Sequence, residues 1–251
     1  MTDFSYQLYS SRNYPPLSST LQMLGAVGYK QVEGYGALYA DLDDIDTLKA
    51  DLDAAGLHMA SGHVGLQSIE NNVEANLAMA KTLGMEAIYC PHLAAEDRPT
   101  TADGWREFGA RLQTAFQPYI DAGLTVGWHN HDFEFVTLED GSIPMDLILE
   151  GGPDLTWEAD IAWIVRGGGD PFAYIKKFSD RISAVHIKDI APAGENVDED
   201  GWADVGEGTV DWQGLMDALK GTSAKYYVME HDNPNDATRF AKTSIDAAKK
   251  Y

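Results

Sequence analysis

Histidines at the ends of short apolar segments are the residues of this sequence best suited to do chemistry. The chain has seven histidines. All except His58 fall at or just beyond the C-terminal end of a segment that reads as a β-strand: His63, His92, His129, His131, His186 and His231. Imidazole binds divalent cations and transfers protons near neutral pH. Six histidines that share one end of a sheet therefore predict a metal or acid–base site there.

Carboxylates occupy the same level. Asp160 and Glu230 each end an apolar segment, Glu33 ends another, and Asp189 follows soon after a fourth. Such a carboxylate is costly to bury unless it is paired or binds a cation. Glu158 and Asp160 share one face of their strand, so we expect Asp160 to be the ligand and Glu158 to support it from one layer deeper. Histidines and carboxylates without thiolates suit Mn²⁺, Mg²⁺, Co²⁺ or Zn²⁺ and argue against a structural zinc site.

The elements that must position these residues alternate between strand and helix along the whole chain. Eight strands, each followed by a helical pattern, predict a (β/α)8 barrel, an α/β fold of about 250 residues, as one domain over residues 1–251. An open doubly wound sheet would need a glycine-rich turn after the first strand, and the sequence from Ser10 to Pro16 has none. The predicted strands are Ser5–Tyr9, Lys30–Glu33, His58–His63, Ala87–Cys90, Thr125–His129, Leu155–Asp160, Ile182–Lys188 and Tyr226–Glu230.

Helix boundaries agree with this pattern. We predict that glycines close five helices in the left-handed conformation: Gly28, Gly56, Gly84, Gly123 and Gly221. Near the first turns of other helices stand Pro16, Pro144, Pro171 and Asp211. The run from Gly167 to Gly169 is expected in a strand-to-helix connection.

The charge of the chain restricts its partners. With 18 Lys and Arg against 40 Asp and Glu, the formal net charge is −22, which argues against a nucleic acid or an anionic membrane as partner. The densest acidic stretch, from Glu195 to Asp200 with Asp204 and Glu207, is interpreted as a solvated loop.

The single cysteine, Cys90, forms no internal disulfide, and we find no leader or membrane span, so we expect a cytoplasmic protein. Homo-oligomerisation stays open.

Four segments together resemble a known family. They are Gly127–Phe135 (GWHNHDFEF), Glu158–Trp163 (EADIAW), His186–Asp189 (HIKD) and Glu230–Asp232 (EHD). In this order they are similar to the xylose-isomerase-like barrel superfamily, in its sugar phosphate isomerase/epimerase branch. The resemblance covers the whole chain and implies one divalent metal ion as cofactor, with Mn²⁺ preferred and Mg²⁺, Co²⁺ or Zn²⁺ as alternatives.

The resemblance implies Asp160, His186 and Glu230 as metal ligands and leaves the fourth open. Epimerases of this kind place a glutamate at the end of strand five, where this chain has His129. We favour His129 as the fourth ligand, with Glu134 as the alternative. A second departure is Trp163, where the family carries a histidine. Its loss, together with the acidic charge, counts against the DNA-repair members of the superfamily.

The implied chemistry is proton abstraction next to a carbonyl, through an enediolate. Glu230 is our first choice of base, with His129, His131 or Glu134 serving the opposite face. Lys188 either polarises a substrate oxygen or pairs with Asp189 or Asp160. We also assign His63, His92, His131, Glu33 and Trp163 to substrate binding. Aromatic residues expected near the mouth, where they could stack on a sugar ring, are Tyr6, Tyr9, Tyr14, Tyr35, Trp128, Trp163 and Trp202.

The expected substrate is a small carbohydrate. Few cations are near the predicted mouth, namely Arg12, Arg166 and Lys188, and no glycine-rich anion site is visible, so we expect an unphosphorylated sugar or related ketose. The main hypothesis is a metal-dependent isomerase or epimerase. The alternatives are an inosose-type dehydratase, a lyase that would use the same intermediate, and a non-catalytic sugar-binding barrel that has lost its fourth ligand.

Overall fold

The computed structural model describes residues 3–40 and 44–251. Strands alternate with helices along the chain, as the sequence predicts. The strands are β1 (Phe4–Gln7), β2 (Gln31–Gly34), β3 (His58–His63), β4 (Ala87–Cys90), β5 (Thr125–His129), β6 (Thr156–Asp160), β7 (Ile182–Ile187), β8 (Asp189–Ile190), β9 (Trp202–Ala203) and β10 (Tyr226–Met229). The helices are α1 (Leu17–Val27), α2 (Gly36–Ala40), α3 (Ile45–Ala55), α4 (Leu66–Asn71), α5 (Val73–Leu83), α6 (Ala102–Asp121), α7 (Pro144–Gly151), α8 (Ile161–Arg166), α9 (Pro171–Lys177), α10 (Trp212–Leu219) and α11 (Ala237–Ala248).

Eight parallel strands close into a barrel. Their order around it is β1-β10-β7-β6-β5-β4-β3-β2, while β8 and β9 form a separate antiparallel hairpin after β7. The predicted (β/α)8 fold is confirmed, and each predicted strand lies within two residues of its observed bounds. Because all eight strands run in one direction, their C-terminal ends meet at one face, the mouth of the barrel.

Two apolar clusters hold the barrel together. The large one lies between strands and helices and includes Leu24, Leu112 and Phe116, all fully buried. The small one consists of Ala60, Ala87, Tyr89, Ala184, Tyr226 and Val228. Strand alternation puts Val228 on the same face as Glu230, and Ala184 on the same face as His186. The polar site residues therefore lie on the same inner face of the strands as this small cluster, closer to the C-terminal ends.

Helix ends follow the predicted signals with two exceptions. Gly28, Gly56, Gly84 and Gly123 have positive φ angles, between 67° and 111°. Gly221 is not among the glycines with positive φ, because α10 ends at Leu219 and is capped by Lys220 in the right-handed conformation. The glycine run at 167–169 joins α8 to α9, so it connects two helices rather than a strand and a helix.

Three further expectations about surfaces are corrected. Trp128 and Tyr6 are buried away from the mouth: Trp128 packs edge-on against Phe108, and Tyr6 packs against Phe240 of α11. The acidic stretch after β8 is only partly solvated, because Glu199 and Asp204 are buried.

None of the described helices combines the length and the apolar character that crossing a bilayer requires.

Candidate metal centre

Strand register brings the predicted ligands together. β5 and β6 pair with His129 opposite Glu158, and β6 and β7 pair with Asp160 opposite His186. The backbone N–H of Glu230 donates to the carbonyl of Ile187 at 3.1 Å, which sets Glu230 beside the end of β7. The C-terminal ends of four neighbouring strands thus supply a compact set of imidazoles and carboxylates.

These side chains form two overlapping groups that could hold a cation. The upper group is His129, Asp160, His186 and Glu230; the lower group is His63, His129, Glu158 and His186. All are buried, and within each group one ligand atom of each residue lies within 4.8 Å of the others. The upper group has the same four residues that we expect as ligands from the sequence.

The lower group is joined by hydrogen bonds, although Oε1 of Glu158 has no hydrogen-bond partner among the described residues. Oε2 of Glu158 lies 2.6 Å from Nε2 of His63 and 3.1 Å from Nδ1 of His129. Nε2 of His186 lies 2.7 Å from Oε1 of Glu33. Glu33 in turn accepts bonds from Gln7 at 2.8 Å and Ser61 at 2.5 Å. One ring nitrogen of each histidine in the lower group therefore already faces a carboxylate, without a cation.

The upper group keeps an unused ligand atom. Oδ1 of Asp160 caps α8 by accepting the backbone N–H of Trp163 at 2.9 Å. Oδ2 of Asp160 is buried and has no hydrogen-bond partner among the described residues, although Nζ of Lys188 lies 3.6 Å away. Oε2 of Glu230 lies 2.8 Å from Nδ1 of His186. A buried carboxylate oxygen without a hydrogen bond is costly, and a bound cation would offset that cost.

The electrostatics of the upper group favour positive charge. Burial and the neighbouring cationic His186 hold the pKa of His129 well below its usual range, so this ring is neutral, as a metal ligand must be. Burial raises the pKa of Asp160 to about 6, against the opposing charge of Lys188. Although burial opposes it, the carboxylates of Glu158 and Glu230 raise the pKa of His186 well above its usual range. A cation at this site would therefore displace a proton from His186.

Lys188 and Glu230 form an ion pair at the mouth of the barrel. Nζ of Lys188 is fully buried, 3.1 Å from Oε2 of Glu230 and 2.6 Å from Oδ1 of Asp232. Although burial lowers it, the charges of Asp232 and Glu230 raise the pKa of Lys188 above its usual range. Although burial opposes it, Lys188 and His186 hold the pKa of Glu230 well below its usual range. Lys188 thus pairs with Glu230 and Asp232, and not with Asp189, whose carboxylate accepts N–H groups of the loop at residues 206–210.

A cavity of about 540 Å³ opens next to the upper group. His129 and Glu230 line it, together with three further histidines that the sequence assigns to the site: His63, His92 and His131. The remaining lining residues are Tyr9, Arg12, Tyr35, Gly36, Ala37, Pro91, Asp200 and Asp232. The other two of the six histidines do not line the cavity: His186 belongs to the upper group, and the ring of His231 packs against Phe240.

Glu134, Glu33 and Trp163 belong neither to the upper group nor to the cavity lining. Both carboxylate oxygens of Glu134 are engaged, by the indole N–H of Trp128 at 2.8 Å and the backbone N–H of His131 at 2.9 Å, and burial raises its pKa to about 8. Glu33 lies in the hydrogen-bonded network of the lower group. Trp163 packs between His131 and Trp202, with ring centroids 5.3 and 4.8 Å away. We therefore no longer assign these three to ligand or substrate contacts.

Two residues that support the site were not singled out from the sequence. Asn130 ties β5 to β6: Oδ1 accepts the backbone N–H of Asp160 at 3.0 Å and the indole N–H of Trp157 at 2.8 Å. Asp232 holds Lys188. Their positions in the sequence next to predicted ligands could have identified both, since Asn130 follows His129 and Asp232 lies two residues after Glu230.

Comparison with known proteins agrees with this fold. A family model described as xylose isomerase-like TIM barrel matches residues 21–251. The chain belongs to the xylose isomerase-like TIM barrel family. Compared with curated proteins by sequence, it has no significant match.

Solved structures share the xylose isomerase-like barrel at low identity. A sugar phosphate isomerase/epimerase from Parabacteroides distasonis is 20% identical, with a TM-score of 0.81 over 98% of this chain and 93% of that one. A probable 3-DHS dehydratase, AsbF, from Bacillus anthracis is 16% identical, with a TM-score of 0.77 over 99% of each chain. The IOLI protein with a bound zinc atom is 15% identical, with a TM-score of 0.79 over 99% of this chain and 97% of that one. At these identities the likeness shows the fold alone.

Proposed function

We propose that this chain is a metal-dependent isomerase or epimerase of a small, unphosphorylated sugar or related ketose, acting by proton transfer next to a carbonyl. The observation that carries the proposal is the upper group. Its four ligand atoms lie within 4.8 Å of one another, and two of its members, His129 and Glu230, face a cavity of about 540 Å³. A cluster of this kind beside a cavity can hold a cation and a small molecule together.

His129, Asp160, His186 and Glu230 would hold the cation. Two imidazoles and two carboxylates suit Mn²⁺, Co²⁺ or Zn²⁺ better than Mg²⁺, which prefers an all-oxygen shell. When bound, a divalent cation supplies Lewis-acid stabilisation of the negative oxygen that develops when the carbon next to a carbonyl loses its proton.

Glu230 is the proposed base. It lines the cavity, and its lowered pKa keeps it ionised at neutral pH, although the same lowering makes it a weaker base. His186 and Lys188 both contact Oε2, which fixes the carboxylate towards the cavity. His131 is the proposed partner in proton transfer: it also lines the cavity, and its Nδ1 is buried without a hydrogen-bond partner among the described residues.

The charge of the cavity supports an uncharged substrate. Among its described lining residues Arg12 is the sole Lys or Arg, against the carboxylates of Asp200, Glu230 and Asp232. Arg12 itself donates to the backbone carbonyls of Tyr9 and Asp232. A phosphate would meet more negative than positive charge here, whereas hydroxyl groups can bind to both imidazoles and carboxylates.

Solvent-deuterium exchange tests the reaction. The protein loaded with Mn²⁺ is incubated in D₂O with a panel of free ketoses and inososes, and label is read by NMR and mass. We expect Mn²⁺-dependent incorporation at a carbon next to the carbonyl, reduced at least about 100-fold in Glu230→Gln, which keeps shape but removes the base. A product lighter by one water would indicate the dehydratase instead. Full exchange in Glu230→Gln would rule out the proposed base.

A further inference from the structure

Glu158 lies directly beneath the upper group. It stands two residues before Asp160 on the same face of β6, and its side chain is fully buried. Its Oε2 contacts Nδ1 of His129 at 3.1 Å and Nε2 of His63 at 2.6 Å, while its Oε1 has no hydrogen-bond partner among the described residues. Glu158 is therefore the carboxylate that faces the inner nitrogen of His129.

The contact with Glu158 determines which nitrogen of His129 carries the proton. An imidazole that binds a metal is neutral and has one N–H and one lone pair. Oε2 of Glu158 faces two imidazole nitrogens at once, Nε2 of His63 at 2.6 Å and Nδ1 of His129 at 3.1 Å. A carboxylate oxygen can accept both hydrogen bonds, so Nδ1 of His129 is the donor towards Oε2 of Glu158. The opposite tautomer would place two lone pairs 3.1 Å apart in a buried site.

We propose that Glu158 is a positioning residue that holds His129 as the Nδ1–H tautomer, so that His129 offers Nε2 to the cation. The inference rests on the metal centre of the proposed function. Carboxylates that accept a hydrogen bond from a histidine ligand orient it and increase its basicity, and their loss typically weakens metal binding about 10–100-fold.

His186 has closer carboxylate partners than Glu158 and supplies an internal comparison. Its Nε2 lies 2.7 Å from Oε1 of Glu33 but 3.4 Å from Oε2 of Glu158, and its Nδ1 faces Glu230 at 2.8 Å. Loss of Glu158 therefore leaves the principal partner of His186 in place. A change confined to His129 distinguishes lost positioning from a general loss of structure.

The test is ¹⁵N-histidine NMR of the Zn²⁺-loaded protein, together with Zn²⁺ affinity measured by chelator competition. In the wild type we expect Nδ1–H at His129 with Nε2 bound to zinc. In Glu158→Met we expect His129 to lose this single form, His186 to keep its own, and the zinc Kd to rise about 10–100-fold. Glu158→Gln keeps an oxygen acceptor and should restore the Nδ1–H form and most of the affinity.

Two results would overturn the inference. One is an Nε2–H form of His129 in the wild type, a result that does not depend on the folding of any variant. The other is an unchanged His129 tautomer and zinc Kd in Glu158→Met. Absence of deuterium exchange by a wild-type protein that shows the expected His129 spectrum would refute the proposed reaction and would support the positioning role.

Discussion

Nζ of Lys188 lies 3.1 Å from Oε2 of Glu230, and both side chains are buried in the mouth of the barrel. The ammonium also contacts Asp232 at 2.6 Å and lies 3.6 Å from Asp160. It therefore compensates part of the negative charge that the site accumulates before any cation binds. Lys188 is accordingly a structural part of the centre, whatever else it contacts during turnover.

Replacing Lys188 with Met should destabilise the metal-free protein by about 3–5 kcal/mol, because it leaves buried carboxylates without their partner. The measurement is urea unfolding in the presence of a chelator. Lys177→Met is the control: Lys177 pairs with Asp146 at 2.6 Å but is 53% exposed, so its loss should cost less than about 1 kcal/mol. Equal effects of the two substitutions would contradict the proposed role of Lys188.

Glu134 should make stability depend on pH. Burial raises its pKa to about 8 in the folded protein from 4.5, so folding favours the protonated form. Its contribution is complete below the unfolded pKa and is lost as pH rises through about 8. We expect the free energy of unfolding to fall between pH 5 and 8 by a few kcal/mol more in the wild type than in Glu134→Gln. Parallel pH profiles of the two proteins would show that Glu134 is not protonated in the fold.

Arg239 of α11 should hold the segment between β7 and α10 in place. It contacts Glu199 at 2.6 Å and Asp204 at 2.9 Å, and both carboxylates are buried. We expect Arg239→Met to lower the free energy of unfolding by about 1–3 kcal/mol and to speed amide exchange at residues 197–206. Arg106→Met is a matched control, because Arg106 is similarly exposed, at 39% against 38%, and its partners are exposed. Unchanged exchange at residues 197–206 would contradict the anchor.

The two candidate groups should respond differently to substitution. Asp160 belongs to the upper group alone and His63 to the lower group alone. Asp160→Asn should weaken Mn²⁺ binding by more than about 100-fold, since loss of a group that only hydrogen-bonds to a ligand already costs about 10–100-fold. His63→Gln should change the Kd by less than about 10-fold. Isothermal titration of both variants measures this, and the reverse order would assign the ion to the lower group.

Periodicity was enough to predict the barrel and the level at which the site lies. Strand alternation predicted that Glu158 lies one layer below Asp160, which the structure bears out, because it depends only on the side-chain period of two. Because adjacent residues of a strand point to opposite faces, the inward position of His129 could have excluded its neighbour Trp128 from the mouth. In the same way, the inward position of Glu230 could have excluded its neighbour His231.

The hydrogen-bonded network beneath the site could not be predicted. Glu33 contacts His186 across the barrel, although 153 residues separate them in sequence. Such a contact depends on which side chains reach the barrel axis at the same height, and strand stagger sets that height. Glu134 was misleading for a related reason: a short 3-10 turn at Phe133–Phe135 directs its carboxylate back onto Trp128 and away from the cavity.

Anomalous scattering from crystals soaked in Mn²⁺ tests the central claim most directly, because it locates the ion itself. We predict one strong peak at the mouth, within bonding distance of Asp160, Glu230, His186 and the Nε2 atom of His129. A peak surrounded by His63, Glu158 and His186, without Asp160 and Glu230, or no peak at a saturating concentration, would contradict it.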